Sequence, residues 1–200
     1  MAAETGKTIS RILNRLAYAL GNQGSDIGIP ASDDRYPVYD TSAELVGYTT
    51  AAAALSIAPV TLAVTTVLTA AAHANRPLLM NGAGGARTFT LPAATGSGNR
   101  YRFVVAAVNT SNYLIKASAG TMLFKGTIIG ASTTDSATDA ARTWTPGATD
   151  DTITLNGTTT GGVAIGDWVE LEDCSATLWA VRGVVVQSGT EATPFSDTVT

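Results

Sequence analysis

The residue types that most often carry chemistry are nearly absent from this 200-residue chain, which has one cysteine, Cys174, and one histidine, His73. A lone cysteine excludes an intramolecular disulfide and any cysteine-based zinc site built within one chain. Charge is also scarce. Only 14% of residues are charged, with a formal net charge of −4 and a sequence pI near 4.8. Such a balance leaves no broad basic field to neutralise phosphates, and argues against a nucleic-acid partner. Aromatics make up 6% of the chain. What remains is rich in glycine, threonine and alanine and 45% apolar overall, enough to bury a core. That composition points to strands joined by tight turns rather than to a helical enzyme or a disordered tail.

Long apolar runs are missing too. The opening MAAETGKTIS holds no uninterrupted apolar segment behind basic residues, so a secretory signal is not expected. Thr49 to Ala74 carries no formal charge apart from a possible one on His73, and therefore needs testing as a membrane span. Its centre is alanine and threonine, is broken by Pro59, and alternates through Val60, Thr61, Leu62, Ala63, Val64 and Thr65. A linker leading into a strand explains it better than a transmembrane helix, and no membrane partner is expected.

The first part of the chain, 1–59, reads as a helix, an arm and a linker. From Lys7 to Leu20 the residues Ile9, Ile12, Leu13, Leu16, Ala17 and Leu20 recur at helical spacing on one face, with Lys7, Arg11 and Arg15 on another. Thr5 or Thr8 caps its start, and Gly21-Asn22 stops it. At about 20 Å such a helix is marginal alone in water. Its apolar stripe must be covered by its own domain, a sister subunit or a partner. Asn22 to Asp40 reads as an extended arm with isolated apolar residues at Ile27, Ile29, Tyr36, Val38 and Tyr39, and its Asp33-Asp34 pair as a solvated turn rather than a calcium loop. Thr41 to Thr50 fits a short helix or a short strand.

Residues 60–200 read as a β-domain. Its clearest stretch is Arg87 to Val105, where Thr88-Phe89-Thr90-Leu91 alternates, Pro92 ends the strand, Thr95 to Asn99 supplies turn residues, and Tyr101 starts an aromatic and β-branched run. Further strands are expected at Val60–Leu68, Leu78–Met80, Tyr113–Lys116, Met122–Ile129, Arg142–Thr145, Thr152–Leu155, Trp168–Leu171 and Leu178–Val186. Regular spacing between glycine- and asparagine-rich turns predicts a mainly β fold, an antiparallel β-sandwich or jelly-roll-like barrel, preceded by the amphipathic helix and arm.

Candidate chemistry is thin. His73 has no serine or cysteine nucleophile in a recognisable motif, so a capped turn or structural histidine is expected. Gly82-Ala83-Gly84-Gly85 lacks the Lys-Ser/Thr pair of a phosphate loop and reads as a hairpin turn. Among Asp167, Glu170, Glu172 and Asp173, strand alternation puts Glu170 and Glu172 on one face with Trp168, opposite Val169 and Leu171. A solvated or subunit-interface edge is expected there rather than paired catalytic carboxylates. Asn109-Thr110-Ser111 and Asn156-Gly157-Thr158 match the glycosylation pattern, a match with little weight in the absence of a secretory signal. Trp144, Trp168 and Trp179 are the large anchors, Trp179 being placed in a core or an interface. No catalytic residue, metal site or cofactor is expected.

Several runs resemble segments that recur in virion structural proteins of tailed bacteriophages, namely head decoration (cement), head-fibre and tail-fibre-like proteins. They are Leu91 to Gly98 with Tyr101-Arg102-Phe103, Asp151 to Gly157, Gly166 to Asp173, Trp179 to Gly183, and Gly189 to Phe195. The similarity spans roughly Thr69 to Phe195. The resemblance implies a non-enzymatic homotrimer on the outer surface of an icosahedral capsid, with the major capsid protein as partner. In that setting Ile9, Ile12, Leu13, Leu16 and Leu20 become the expected apolar capsid contact. Arg11 and Arg15 meet acidic capsid surface, Tyr36 and Tyr39 fill pockets, and Trp168, Glu170 and Trp179 are candidates for the trimer interface. The alternative is a tail or baseplate fibre component that binds a host glycan.

Overall fold

The computed structural model describes residues 35–40, 45–50, 58–133 and 141–199. The candidate helix over Lys7–Leu20, with its proposed contacts Ile9, Arg11, Ile12, Leu13, Arg15, Leu16 and Leu20, lies outside the described residues. Contacts divide the chain into two units, Met1–Ser56 and Ile57–Thr200.

In the first unit, β1 (Arg35–Asp40) pairs antiparallel with β2 (Leu45–Thr50). This differs from the expected arm. Tyr36 and Tyr39 belong to a hairpin strand, opposite Thr49 and Val46 respectively, and the undecided stretch from Thr41 ends in a strand. Arg-Tyr-Pro-Val-Tyr is short of helix formers and rich in residues that suit extended backbone, and the partner Leu-Val-Gly-Tyr-Thr-Thr is similar.

Among its described residues the second unit is β, apart from one turn of helix. Its strands are β3 (Val60–Leu62), β4 (Thr66–Val67), β5 (Arg76–Met80), β6 (Arg87–Thr90), β7 (Arg100–Val105), β8 (Tyr113–Lys116), β9 (Leu123–Ser132), β10 (Arg142–Trp144), β11 (Thr152–Leu155), β12 (Trp168–Ser175), β13 (Leu178–Gln187) and β14 (Phe195–Ser196). They form a seven-stranded sheet ordered β10-β9-β13-β12-β7-β5-β3 and a five-stranded sheet ordered β14-β11-β8-β6-β4. One core lies between them. Phe89 on β6 stacks with both Phe103 on β7 and Tyr113 on β8 at 5.9 Å, and Tyr101 meets Trp179 edge-on at 5.6 Å.

The expected antiparallel sandwich is half right, because the sheets are mixed. From β3 to β8 the chain changes sheet at every strand, so β3, β5 and β7 stack in parallel on one side and β4, β6 and β8 on the other. The loop at Gly82–Gly85 is therefore not a hairpin turn, and the one at Thr95–Asn99 does not reverse the chain within one sheet. Both carry it across the core. Positive φ at Gly84, Gly96 and Gly98 allows the bend, but glycine specifies that a chain turns, not in which plane. The second half of the unit restores antiparallel pairing, with β12 between β7 and β13, while β13 takes β9 in parallel on its far side.

Side chains hold the crossings in place. The Tyr113 hydroxyl accepts from Gly82 N and donates to Ala107 O at 2.8 Å, joining the β5–β6 and β7–β8 connections. Asn109, fully buried, donates to Gly82 O, Gly85 O and Asn112 O, so its amide serves as a structural brace. The expected strand Val60–Leu68 is broken into β3 and β4, since the chain leaves one sheet for the other between them. After it, α1 (Ala70–His73) is a single turn capped by Thr69, whose N–H donates to His73 Nδ1 at 3.0 Å. His73 is a capping group in a turn.

Candidate interaction face

The outer face of the seven-stranded sheet follows from alternation. In β7 the core takes Tyr101, Phe103 and Val105, and in β12 it takes Val169, Leu171 and Asp173. The residues between them face outward. Strand register then lines the outward residues into rows. Leu79 on β5 pairs with Val104 on β7, Val104 with Trp168, Trp168 with Val184, and Val184 with Ile129 on β9. This apolar row crosses five strands, and its far end is open, with Val184 39% and Ile129 41% exposed. Five strands at about 4.8 Å spacing make it roughly 19 Å long.

Charged rows run beside it. Pro77, Arg102, Glu170 and Arg182 are successive register neighbours, and beyond them Arg100, Glu172 and Ala180. Arg182 binds Glu170 through Nε at 2.8 Å and reaches Glu172 at 3.5 Å, while Arg100 Nε lies 3.2 Å from Glu172. Arg102 lies over the Trp168 ring, 4.6 Å from its centroid, in a cation–π contact that joins the charged rows to the apolar one. Exposed pairs of this kind add little stability. Their effect is to fix the positions of the guanidinium groups.

The three predicted interface residues therefore separate. Trp168 and Glu170 are together on this face, whereas Trp179 points the other way and is 1% exposed. It packs in the core, edge-on against Tyr101. Trp144 is elsewhere, donating to Gln187 Oε1 at 2.8 Å.

The acidic group Asp167, Glu170, Glu172 and Asp173 also divides. Asp173 is 3% exposed and faces inward, where its carboxylate accepts from the backbone N–H groups of Thr95, Gly96 and Ser97 and from the Thr95 and Ser97 hydroxyls, at 2.7–3.1 Å. Burial pushes this carboxyl up, but the Ser97 hydroxyl and the amides of Gly96, Ser97 and Thr95 outweigh burial and hold it at about 2. Asp167 accepts from Gly162, Ala164 and Val186 N–H groups, yet burial wins there and its carboxyl is raised. These two are loop clamps. Asp151 does the same for the C-terminal segment, accepting from Thr198 N at 3.0 Å. Sequence reasoning missed these roles, although Asp173 shares the strand parity of Val169 and Leu171, and an acid at a core-facing position signals a hydrogen-bonded clamp.

Comparison with known protein families, curated proteins and solved structures finds no match. The face must be interpreted from its own chemistry. Among the described residues no group of three or more His, Cys, Asp and Glu is placed to hold a metal ion, and no helix is long and apolar enough to cross a membrane. Both asparagines of the glycosylation pattern are internally bonded: Asn156 Oδ1 accepts from Thr158 and Thr160 N–H groups, and Asn109 is the brace described above.

Proposed function

We propose that this protein is a structural component of a tailed-bacteriophage virion, decorating the outer capsid surface as a homotrimer that stabilises the head. The observation that carries the reading is the apolar row from Leu79 to Ile129, flanked by ordered charges, on a sheet face with no covering layer among the described residues. A face of this composition suits association between subunits, with an apolar centre and a polar surround. The resemblance of the runs from Leu91 to Phe195 to virion structural proteins of tailed bacteriophages, of head and of tail-fibre types, supplies the setting. In this scheme Trp168 and Glu170 lie in the trimer interface, the first unit attaches to the major capsid protein, and three linked footholds strengthen a weak single contact.

The fibre reading is less well supported. Glycan binding through stacking needs an open aromatic platform, whereas Trp179 is interior, Trp168 lies beneath Arg102 and Trp144 is engaged by Gln187.

The mass in solution and the site of antibody label on virions test the proposal together. Three chains per particle and label over the head are expected; a monomer, or label confined to the tail, overturns it. Trp168→Ala should loosen the trimer by about 1–3 kcal/mol per interface with little loss of subunit stability, and an unchanged dissociation profile would remove Trp168 from the interface. Deleting Met1–Asp40 should leave a folded trimer that no longer decorates capsids, and undiminished decoration would place attachment elsewhere.

A further inference from the structure

Beside the apolar row, a cleft of about 340 Å³ opens on the charged side of the same sheet, lined by Asn75, Arg76, Pro77, Arg100, Arg102 and Glu170. Its volume is at the small end of the range for binding pockets, about 300–1,000 Å³. The charge there opposes that of the whole chain. Four guanidinium groups, those of Arg76, Arg100, Arg102 and Arg182, stand against the carboxylates of Glu170 and Glu172, a local balance of +2 in a chain of net −4.

Both glutamates are already engaged. Glu170 binds Arg182, and Glu172 is shared between Arg100 and Arg182. Arg102 forms an ion pair with neither and is held over Trp168 instead. Arg76 donates to the Ala58 and Ala72 carbonyls, contacts that fix its guanidinium without neutralising it. The result is a set of positive groups held in position by an aromatic ring, two carbonyls and a shared carboxylate, with little ordering entropy left to lose on binding an anion.

Spacing narrows the ligand. Arg100 and Arg102 stand two residues apart on one strand and face the same way, which separates their origins by roughly 7 Å. Alternate side chains of any extended peptide have that same separation. Within the protein Glu172 on β12 already meets Arg100 across the strand pair, while Glu170 turns to Arg182 and leaves Arg102 without a carboxylate. We propose that this cleft binds an extended acidic peptide segment of a partner protein, with carboxylates at alternate positions, Arg100 and Arg102 receiving successive acids and Arg76 flanking them. The cleft borders the proposed trimer face, since Glu170 lines it and Arg102 covers Trp168, so binding is read beside the protein's mass in solution, which separates a failure of the cleft from a failure of the trimer.

The test is fluorescence anisotropy of the full chain with a labelled peptide carrying Glu-Val-Glu-Val-Glu. A rearranged peptide with its three glutamates adjacent and free glucuronate serve as competitors. Saturable binding is expected that weakens as salt rises from 50 to 300 mM, falls about tenfold in Arg102→Gln, and exceeds that of the rearranged peptide about fivefold. Thermal melts confirm that Arg102→Gln is folded, and Arg76→Gln provides the decision if it is not. Equal affinity for the two peptides, or undiminished binding in the folded variants, overturns the proposal. Displacement by glucuronate at matching concentration also overturns it, in favour of a small-acid site.

Discussion

Gly126→Ala should cost the domain about 3–5 kcal/mol, at the upper end of the effect of single substitutions. Gly126 lies in β9 with φ at +136°, and a Cβ there would stand 1.9 Å from the Val181 carbonyl oxygen on the paired strand β13. The obstacle is backbone, which no rotamer change can clear. Relief requires β9 and β13 to separate at the Val181–Gly126 step, within the parallel ladder that runs from Leu178–Leu123 to Gln187–Ser132. Gly84→Ala is the control. Its φ of +86° carries the usual left-handed penalty of about 1–2 kcal/mol, but nothing lies within 4 Å of the added carbon. Urea denaturation of both variants measures the difference, and equal losses would mean that backbone conformation, not the close approach of β9 to β13, sets the cost.

Asp173→Asn should lower stability at neutral pH by about 3 kcal/mol, since it replaces a charged acceptor of several buried donors with an amide whose NH₂ faces some of them. For a domain of this size that corresponds to a melting point lower by roughly 10 °C. The pH dependence gives a second readout. Folding lowers the Asp173 carboxyl from 3.8 to about 2, so the unfolded chain binds its proton more readily. The stabilisation is complete above about pH 4 and is lost as pH falls through about 2, a change of roughly 2 kcal/mol. Asp173→Asn should lack that slope. Asp167 has the opposite sign, because burial raises its folded pKa and its contribution diminishes as pH rises. Asp167→Asn should therefore cost less at neutral pH than Asp173→Asn, and the reverse order would contradict the assignment of Asp173 as the stronger clamp.

Alternation is the part of this architecture that the chain states most openly. Trp168, Glu170 and Glu172 against Val169 and Leu171 could be assigned to two faces from residue type alone, and the burial pattern agrees. Pairing was much less legible. Thr95-Gly96-Ser97-Gly98 has the chemistry of a hairpin turn, yet it leads from β6 in one sheet to β7 in the other, because a flexible turn is compatible with either path and only long-range packing selects one. Asp173 escaped for a related reason. Its partners, Thr95 to Ser97, are more than seventy residues away, and local pattern grouped it with its acidic neighbours. The apolar row was invisible for the same cause, since Leu79, Val104, Trp168, Val184 and Ile129 come from five separate strands and meet only through register.

The alternating path from β3 to β8 has one more consequence, at the end of the stack where it begins. Both sheets terminate there, one in the three residues of β3 and the other in the two of β4. A parallel stack could in principle be extended indefinitely by another chain laying down the next coil, and Val64 and Val67 stand exposed at this end, 65% and 72% accessible. Strands of two and three residues are poor templates for such growth. Edge pairing at this end is thus blunted by strand length alone, even with valines exposed beside it.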